Sequence, residues 1–249
     1  EFRLSARYAF TDNFSVKAGF NSMRQYIHKL SNTVIMSPTD TWKLSDVNIK
    51  PQRGWQAAAG LYLNSPSGIW EYSVEGYYKR MSDYLDYRGG AKLLMNHHIE
   101  TDVINTQGHA YGVELQVKKQ VGKLNGWMSY TYSRTFLRQN DKRIEKPVNN
   151  GDWYPTEYDK PHDFKFVGNY KFTHRYSMSI NVDYSTGRPT TIPAGQYYDE
   201  STQSMRVYYT ERNSYRIPDY FRTDISFNIE PSHHLTLLTH SSISIGVYN

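Results

Sequence analysis

The chain has no cysteine, which excludes a disulfide framework and any thiolate metal site. It has no run of eighteen apolar residues, so no helix of it crosses a membrane, and no charged-then-apolar signal segment opens it. Charge is not segregated either. The 29 Lys and Arg residues are interleaved with 24 Asp and Glu, so the net charge of +5 gathers into no basic patch of the kind that phosphate backbones select, and nucleic acid is not an expected partner. No glycine-rich turn joins a strand to a helix, which leaves nucleotide binding without support. The length of 249 residues permits one large β domain or two small ones.

What the sequence has in excess is aromatic surface. Tyr occurs 23 times and aromatics make up 15% of the residues, although the mean hydropathy is strongly negative. A soluble globule with an oily core does not need that combination. A sheet in lipid does: only alternate residues meet the membrane, the other face and the outer loops are polar, and aromatic girdles mark both interfaces.

The dominant pattern is period two. Phe2, Leu4, Ala6, Tyr8 and Phe10 alternate with Arg3, Ser5 and Arg7, and beyond Thr11-Asp12-Asn13 the alternation resumes with Phe14, Val16, Ala18 and Phe20. Trp55 to Leu63 and Trp70 to Tyr78 form a second hairpin around Asn64–Gly68. Tyr111 to Val117 and Met128 to Tyr132 form a third, Phe164 to Phe172 and Tyr176 to Tyr184 a fourth. Phe221 to Ile229, a turn around Pro231, and Leu235, Leu237, Ile243, Ile245 and Val247 complete the series. About ten strands result.

Connection lengths alternate. Short turns lie at 11–13, 64–68, 120–125, 173–175 and 230–234, and long segments at 28–51, 82–109, 137–161 and 186–216. Long structureless loops are rare in compact soluble domains. Here all of them emerge on one rim, as in outer-membrane barrels with tight periplasmic turns and extended extracellular loops. Between the apolar positions stand Arg3, Arg7, Lys17, Glu71, Glu75, Glu114, Lys118, Asp163, Lys165, Asp183, Arg222 and Asp224. Ionised groups of that number cannot be buried unpaired, so their face must be hydrated or pressed against polar protein. Alternation alone does not separate this case from a soluble sandwich; the loop asymmetry and the outward aromatics favour the barrel. The expected fold is all-β, a membrane-spanning antiparallel up-and-down barrel. Glu1-Phe2-Arg3 reads as the interior of a strand, and the chain stops after an outward-running one, so it reads as a fragment cut at both ends.

Four stretches carry a family resemblance: AYGVELQVKKQVGKLNGWMSYTYSRTF (110–136), YPTEYDKPHDFKFVGNYKF (154–172), TGRPTTIP (186–193) and RNSYRIPDYFRTDISFNI (212–229). In this order they resemble TonB-dependent outer-membrane receptors, particularly the type with an N-terminal carboxypeptidase-regulatory-like domain before a plug. The resemblance implies a barrel of about 22 strands closed around a plug. Residues 1–249 would be its C-terminal portion, strands twelve to twenty-one, with the plug and final strand absent. It implies a Gram-negative receptor that binds a scarce nutrient outside and imports it with TonB-derived energy. The nutrient would be a siderophore, vitamin, oligosaccharide or peptide. Implied partners are membrane lipid and lipopolysaccharide, TonB through the absent plug, the nutrient, and a surface lipoprotein. No cofactor and no enzymatic activity are implied.

Alternative chemistry has thinner support. His97-His98 with Glu100 and Asp102 offers metal-ligand types, but adjacent strand residues point to opposite faces, so no metal site is expected. His233-His234 read as a solvated turn. His162, between Asp159 and Asp163, has the chemistry of a general base, and a barrel hydrolase would pair it with Ser133 or Ser185; a polar rim is the plainer reading, and no catalytic residue is assigned. A passive porin or structural barrel remains an alternative. Ligand contact is expected from aromatics near the turn signals Gly187-Arg188-Pro189 and Pro193-Ala194-Gly195: Trp153, Tyr154, Arg188, Tyr197, Tyr198, Tyr208 and Tyr209.

Overall fold

Apolar and polar residues alternate at period two along most of the chain, and the backbone answers with strands. A computed structural model describes residues 1–30, 41–47, 49–87, 102–139, 147–200, 203–230 and 242–249. In chain order the strands are β1 (Phe2–Ala9), β2 (Phe14–Gln25), β3 (Ile27–Leu30), β4 (Thr41–Leu44), β5 (Gln52–Asn64), β6 (Trp70–Tyr87), β7 (Val103–Lys119), β8 (Leu124–Gln139) and β9 (Tyr154–Pro155). They continue as β10 (His162–Lys171), β11 (Tyr176–Ser185), β12 (Pro189–Thr190), β13 (Pro193–Asp199), β14 (Ser204–Tyr209), β15 (Tyr215–Arg216), β16 (Tyr220–Ile229) and β17 (Ile243–Tyr248).

Ten of these form one up-and-down antiparallel sheet in the order β1-β2-β5-β6-β7-β8-β10-β11-β16-β17, with the short β9 added to β8. The sheet is open: among the described residues β1 pairs only with β2, and β17 only with β16. Three two-stranded sheets, β3–β4, β12–β15 and β13–β14, rise from the long connections, the β13–β14 pair lying in the chain between β12 and β15.

Register decides which residues share a face, because directly opposed residues point the same way. One row runs Tyr8, Val16, Leu61, Val74, Leu115, Tyr130, Phe164, Tyr184 and Phe221 across nine strands. The adjacent row on the opposite face reads Arg7, Lys17, Gly60, Glu75, Glu114, Thr131, Asp163, Ser185 and Tyr220. Every strand keeps this parity through the middle of the sheet.

Among the described residues no second layer packs on the apolar face. Leu4, Tyr8, Leu61, Val74, Leu115, Phe221, Ile225 and Val247 are all exposed in the isolated chain. Among the described residues the buried apolar ones are few, namely Ile49, Met81, Val103, Ile104, Ala110, Leu137 and Tyr154, and they gather at the long-loop end. A two-layer sandwich would instead bury that face against a second sheet. An apolar surface spanning ten strands is far beyond what a soluble monomer exposes, so its solvent is lipid.

Aromatic rings edge this surface at both ends. At the short-turn end Tyr8, Phe10 and Phe14 touch in series, as do Tyr170, Phe172, Phe227 and Tyr176, with Trp70 stacked on Tyr72. At the other end Phe20, Trp55 and Tyr78 are in ring contact. Two of the short turns use one device: the hydroxyls of Thr11 and Thr173 accept hydrogen bonds from the backbone N–H groups two and three residues on. His97, His98, Glu100, His233, His234, Leu235 and Leu237 lie outside the described residues.

Candidate ligand cavity at the long-loop rim

At the long-loop end β6 and β7 run on past their neighbours, and a β-bulge alters what they present. Ser82 and Asp83 of β6 stand against the single residue Gln107 of β7, with Asp83 at φ 56°. The extra residue restores inward parity to Tyr84 and Asp86, which would otherwise turn toward the lipid side. Asp83 itself binds Arg53, with Nη2 and Oδ2 at 2.8 Å.

Tyr84 and Asp86 thereby border a cavity of about 900 Å³. Arg3, Lys79 and Met81 contribute from the polar face of the sheet, and Tyr154, Glu157, Tyr158, Arg212 and Asn213 from the loops. Asp86 ties these parts together. Its Oδ2 accepts from the Tyr154 hydroxyl at 2.5 Å and from Arg212 Nη1 at 2.6 Å. The Tyr158 hydroxyl donates to that of Tyr84 at 3.2 Å.

Electrostatics follow from this crowding. Burial, then the Asp86 carboxylate, push the Tyr154 hydroxyl well above the usual tyrosine range, so it stays a donor. Partial burial and Asp86 raise Glu157, against the pull of Arg212 and Arg188. Burial opposes the charge on Arg212, but Asp86 and Tyr154 more than offset it and its pKa rises.

A second carboxylate fixes the loops to the sheet. Asp159, fully buried, accepts from the Thr135 backbone N–H at 2.8 Å, from Arg134 Nε at 3.3 Å and from Arg216 Nη2 at 2.5 Å. Arg216 Nη1 also donates to the carbonyls of Asp159 and Gly187 at 2.8 Å. Asn149, at φ 48°, accepts from the Arg212 N–H at 2.8 Å and donates to the Arg212 carbonyl at 3.2 Å. Asp219 accepts from the Gly187 N–H at 2.8 Å and the Tyr184 hydroxyl at 2.6 Å. Gly187 has no room for a side chain: a Cβ there would lie 1.7 Å from the Ile217 carbonyl oxygen.

Of the residues expected to contact ligand, Tyr154 lines the cavity and is buried. Trp153 is turned elsewhere, its ring edge-on to His109 at 4.4 Å and under the Arg138 guanidinium at 4.8 Å. Arg188 is exposed beside Gly187. Tyr197, Tyr198, Tyr208 and Tyr209 are exposed on the β13–β14 hairpin, away from the cavity lining. His162 shares the apolar face with Tyr132 and lies 2.8 Å from the Tyr130 hydroxyl, whereas Ser133 and Ser185 take the opposite parity. Ser185 Oγ accepts from Lys160 Nζ at 3.3 Å, so the structure brings neither serine to His162.

Sequence reasoning missed Asp86, Arg212, Tyr84, Tyr158 and Glu157. A signal was present, since all but Asp86 and Tyr84 fall inside the stretches 154–172 and 212–229, which the fold joins with 186–193 through Asp159, Arg216 and Gly187.

Residues 2–249 match the family model described as TonB dependent receptor-like, beta-barrel. The chain belongs to the TonB-dependent receptor β-barrel family. Its place is therefore the bacterial outer membrane, with the apolar face of the sheet toward lipid.

Among solved structures it is similar in fold to the ferric-catecholate import receptor Fiu of E. coli K12, with a TM-score of 0.59 and 14% identity over 99% of this chain and 30% of that one. The FrpB iron transporter of Neisseria meningitidis gives 0.58 and 12% over 99% and 34%. The ferripyoverdine receptor of Pseudomonas aeruginosa, bound to ferripyoverdine, gives 0.54 and 13% over 94% and 27%. The chain spans about a third or less of the length of these receptors. No curated protein matches the sequence.

Proposed function

We propose that this chain is the C-terminal portion of the barrel of a nutrient receptor, strands twelve to twenty-one of about 22 around a plug. The receptor captures its ligand in the rim cavity and imports it with force from TonB applied through the plug. The cavity carries this reading: a space of about 900 Å³ on the polar face, walled by Tyr84, Asp86, Tyr154, Glu157, Tyr158 and Arg212. Its size suits a small-molecule ligand, and its few polar groups are held by one another, as a recognition site requires. Membrane lipid and lipopolysaccharide are the surrounding partners, and a surface lipoprotein is a further one. The exposed Tyr197, Tyr198, Tyr208 and Tyr209 offer that lipoprotein or the arriving ligand a second contact.

The ligand is a siderophore, vitamin, oligosaccharide or peptide. Because the similar receptors named above are described with iron or ferric ligands, ferric siderophores are the first probes. The test is uptake, in cells carrying the full receptor as sole importer, of ferric siderophores, cobalamin, oligosaccharides and peptides. One class is expected to be taken up in a TonB-dependent way, and Arg212→Ala to reduce it. Uptake of every class independent of TonB, as in a passive porin, would overturn the reading.

A further inference from the structure

We propose that Asp86 stands in for a group of the ligand: Arg212 and Tyr154 are a receiver for a carboxylate carried by the nutrient, which displaces Asp86 on binding. The proposal rests on the reading of the rim cavity as the capture site, and adds to it the ligand's chemistry and the contact that restrains its entry.

The fit of Asp86 to its partners is incomplete. Its side chain reaches the cavity only through the bulge at Ser82 and Asp83. There Oδ2 alone takes both donors, the Tyr154 hydroxyl at 2.5 Å and Arg212 Nη1 at 2.6 Å, while Oδ1 is turned back to the Tyr87 N–H of its own strand at 2.8 Å. A guanidinium fork matches both oxygens of a carboxylate, and here it meets one. A carboxylate free of the β6 backbone can present both in the plane of the fork. Exchange then replaces a one-point contact by a two-point one and leaves the charge beside Arg212 unchanged. The planar acceptor already in place specifies a carboxylate over a tetrahedral oxyanion.

The receiver does not depend on Asp86 for its shape. Asn149 clamps the Arg212 N–H and carbonyl at 2.8 and 3.2 Å, and Asn213 Nδ2 donates to the Pro155 carbonyl at 2.8 Å, so the segments bearing Arg212 and Tyr154 are joined directly. Solvent reaches the pair, since the Arg212 and Asp86 side chains are 17% and 19% exposed. On the sheet side of the cavity Arg3 and Lys79 flank Asn21 and Gln56 in one row across β1, β2, β5 and β6. Among the described residues neither cation has a carboxylate partner. Their positive potential draws an anion into a cavity whose receiver is filled by the protein itself.

In the experiment the full receptor is titrated with three carboxylate carriers, each beside a counterpart that lacks the free carboxylate. The pairs are ferric citrate and ferrioxamine B, oligogalacturonate and its methyl ester, and an amidated glutamate-rich peptide and its glutamine version. Wild type is expected to prefer one acid to its counterpart, and which one identifies the carrier. Asp86→Asn weakens the stand-in, so it should tighten binding of that acid by about tenfold, the effect of one charge-assisted hydrogen bond, and leave the counterpart unchanged. Arg212→Gln should remove the preference. Heat-modifiable migration on gels reports folding, and Asp86→Ala serves where Asp86→Asn does not fold. If wild type binds no acid better than its counterpart, the proposal is overturned whatever the variants do. It is overturned equally if a folded Asp86 variant binds the acid no better than wild type. A counterpart bound tightly and lost on Arg212→Gln would refute the carboxylate and leave the cavity as the capture site; an acid whose binding ignores Arg212→Gln would remove both.

Discussion

Asp86 and Arg212 stand 126 positions apart in the sequence and 2.6 Å apart in the structure. This contact joins the extended β6–β7 arm to the loop between β14 and β15, and the Tyr154 hydroxyl on the same carboxylate oxygen brings in a third segment. Arg212→Ala would leave Asp86 beside Glu157 with no cation, only the Tyr154 hydroxyl and the Tyr87 backbone N–H as donors. The expected cost is about 1–3 kcal/mol, near the low end because both side chains keep some solvent contact. Faster protease cleavage in 147–161 and 203–217, with the sheet still heat-modifiable, would report it. The swap Asp86→Arg/Arg212→Asp should recover part of the loss; a penalty equal to the sum of both single changes would contradict the pairing.

Gly187 is placed by a steric demand. The Ile217 carbonyl oxygen occupies the position of a side chain, while the Gly187 N–H is held by Asp219. Gly187→Ala must therefore push β12 from β15 and loosen Arg216 from the Gly187 carbonyl, at a cost of about 1–3 kcal/mol. Gly195→Ala meets nothing within 4 Å and serves as the control. Equal protease resistance of the two variants would remove the packing argument.

The sheet was legible in the sequence because period two is enforced by lipid on one side and a polar interior on the other, so Tyr8, Val16, Leu61 and Val74 announce their face without reference to distant residues. The cavity was less legible. Its parts come from positions whose proximity depends on register and on the Asp83 bulge, which no local pattern predicts. Asp86 lay in a segment read as a loop, and its partner Arg212 in another. Tyr154, chosen for its aromatic character, lines the cavity, whereas Trp153, chosen on the same ground, turns its ring to Arg138 and His109. Aromatic type alone does not say which side of a rim a ring takes.

Face assignment can be tested in mid-membrane. Ile180 opposes Gly168 and Ile225 on the apolar face, and Phe227 opposes Met178 and Ile245. Ile180→Arg should destabilise folding into vesicles by about 2–4 kcal/mol at the bilayer midplane, and Phe227→Arg, in the aromatic girdle near the short turns, by only about 0–1 kcal/mol. Lys165, on the other face in a row with Asp183 and Arg222, should accept Gln or Glu at far less cost. Urea titration of vesicle-inserted receptor is the measurement. Equal sensitivity on both faces would refute the assignment.

The last expectation concerns pH. Partial burial and the neighbouring Asp86 carboxylate raise the Glu157 pKa above its ordinary value. A carboxyl raised by folding binds its proton more tightly in the folded loops than in the open ones. As pH climbs, the open state ionises first, so the loop cluster loses stability between the ordinary and the raised pKa and stays weaker at neutrality. Acidification through that window should therefore tighten the cluster. Protease protection of residues 147–161 is expected to be greater at about pH 5 than at about pH 7.5 in the wild type. Glu157→Gln should abolish the difference by raising protection at the higher pH. If the Gln variant keeps the full pH dependence, the titrating group lies elsewhere among the loops.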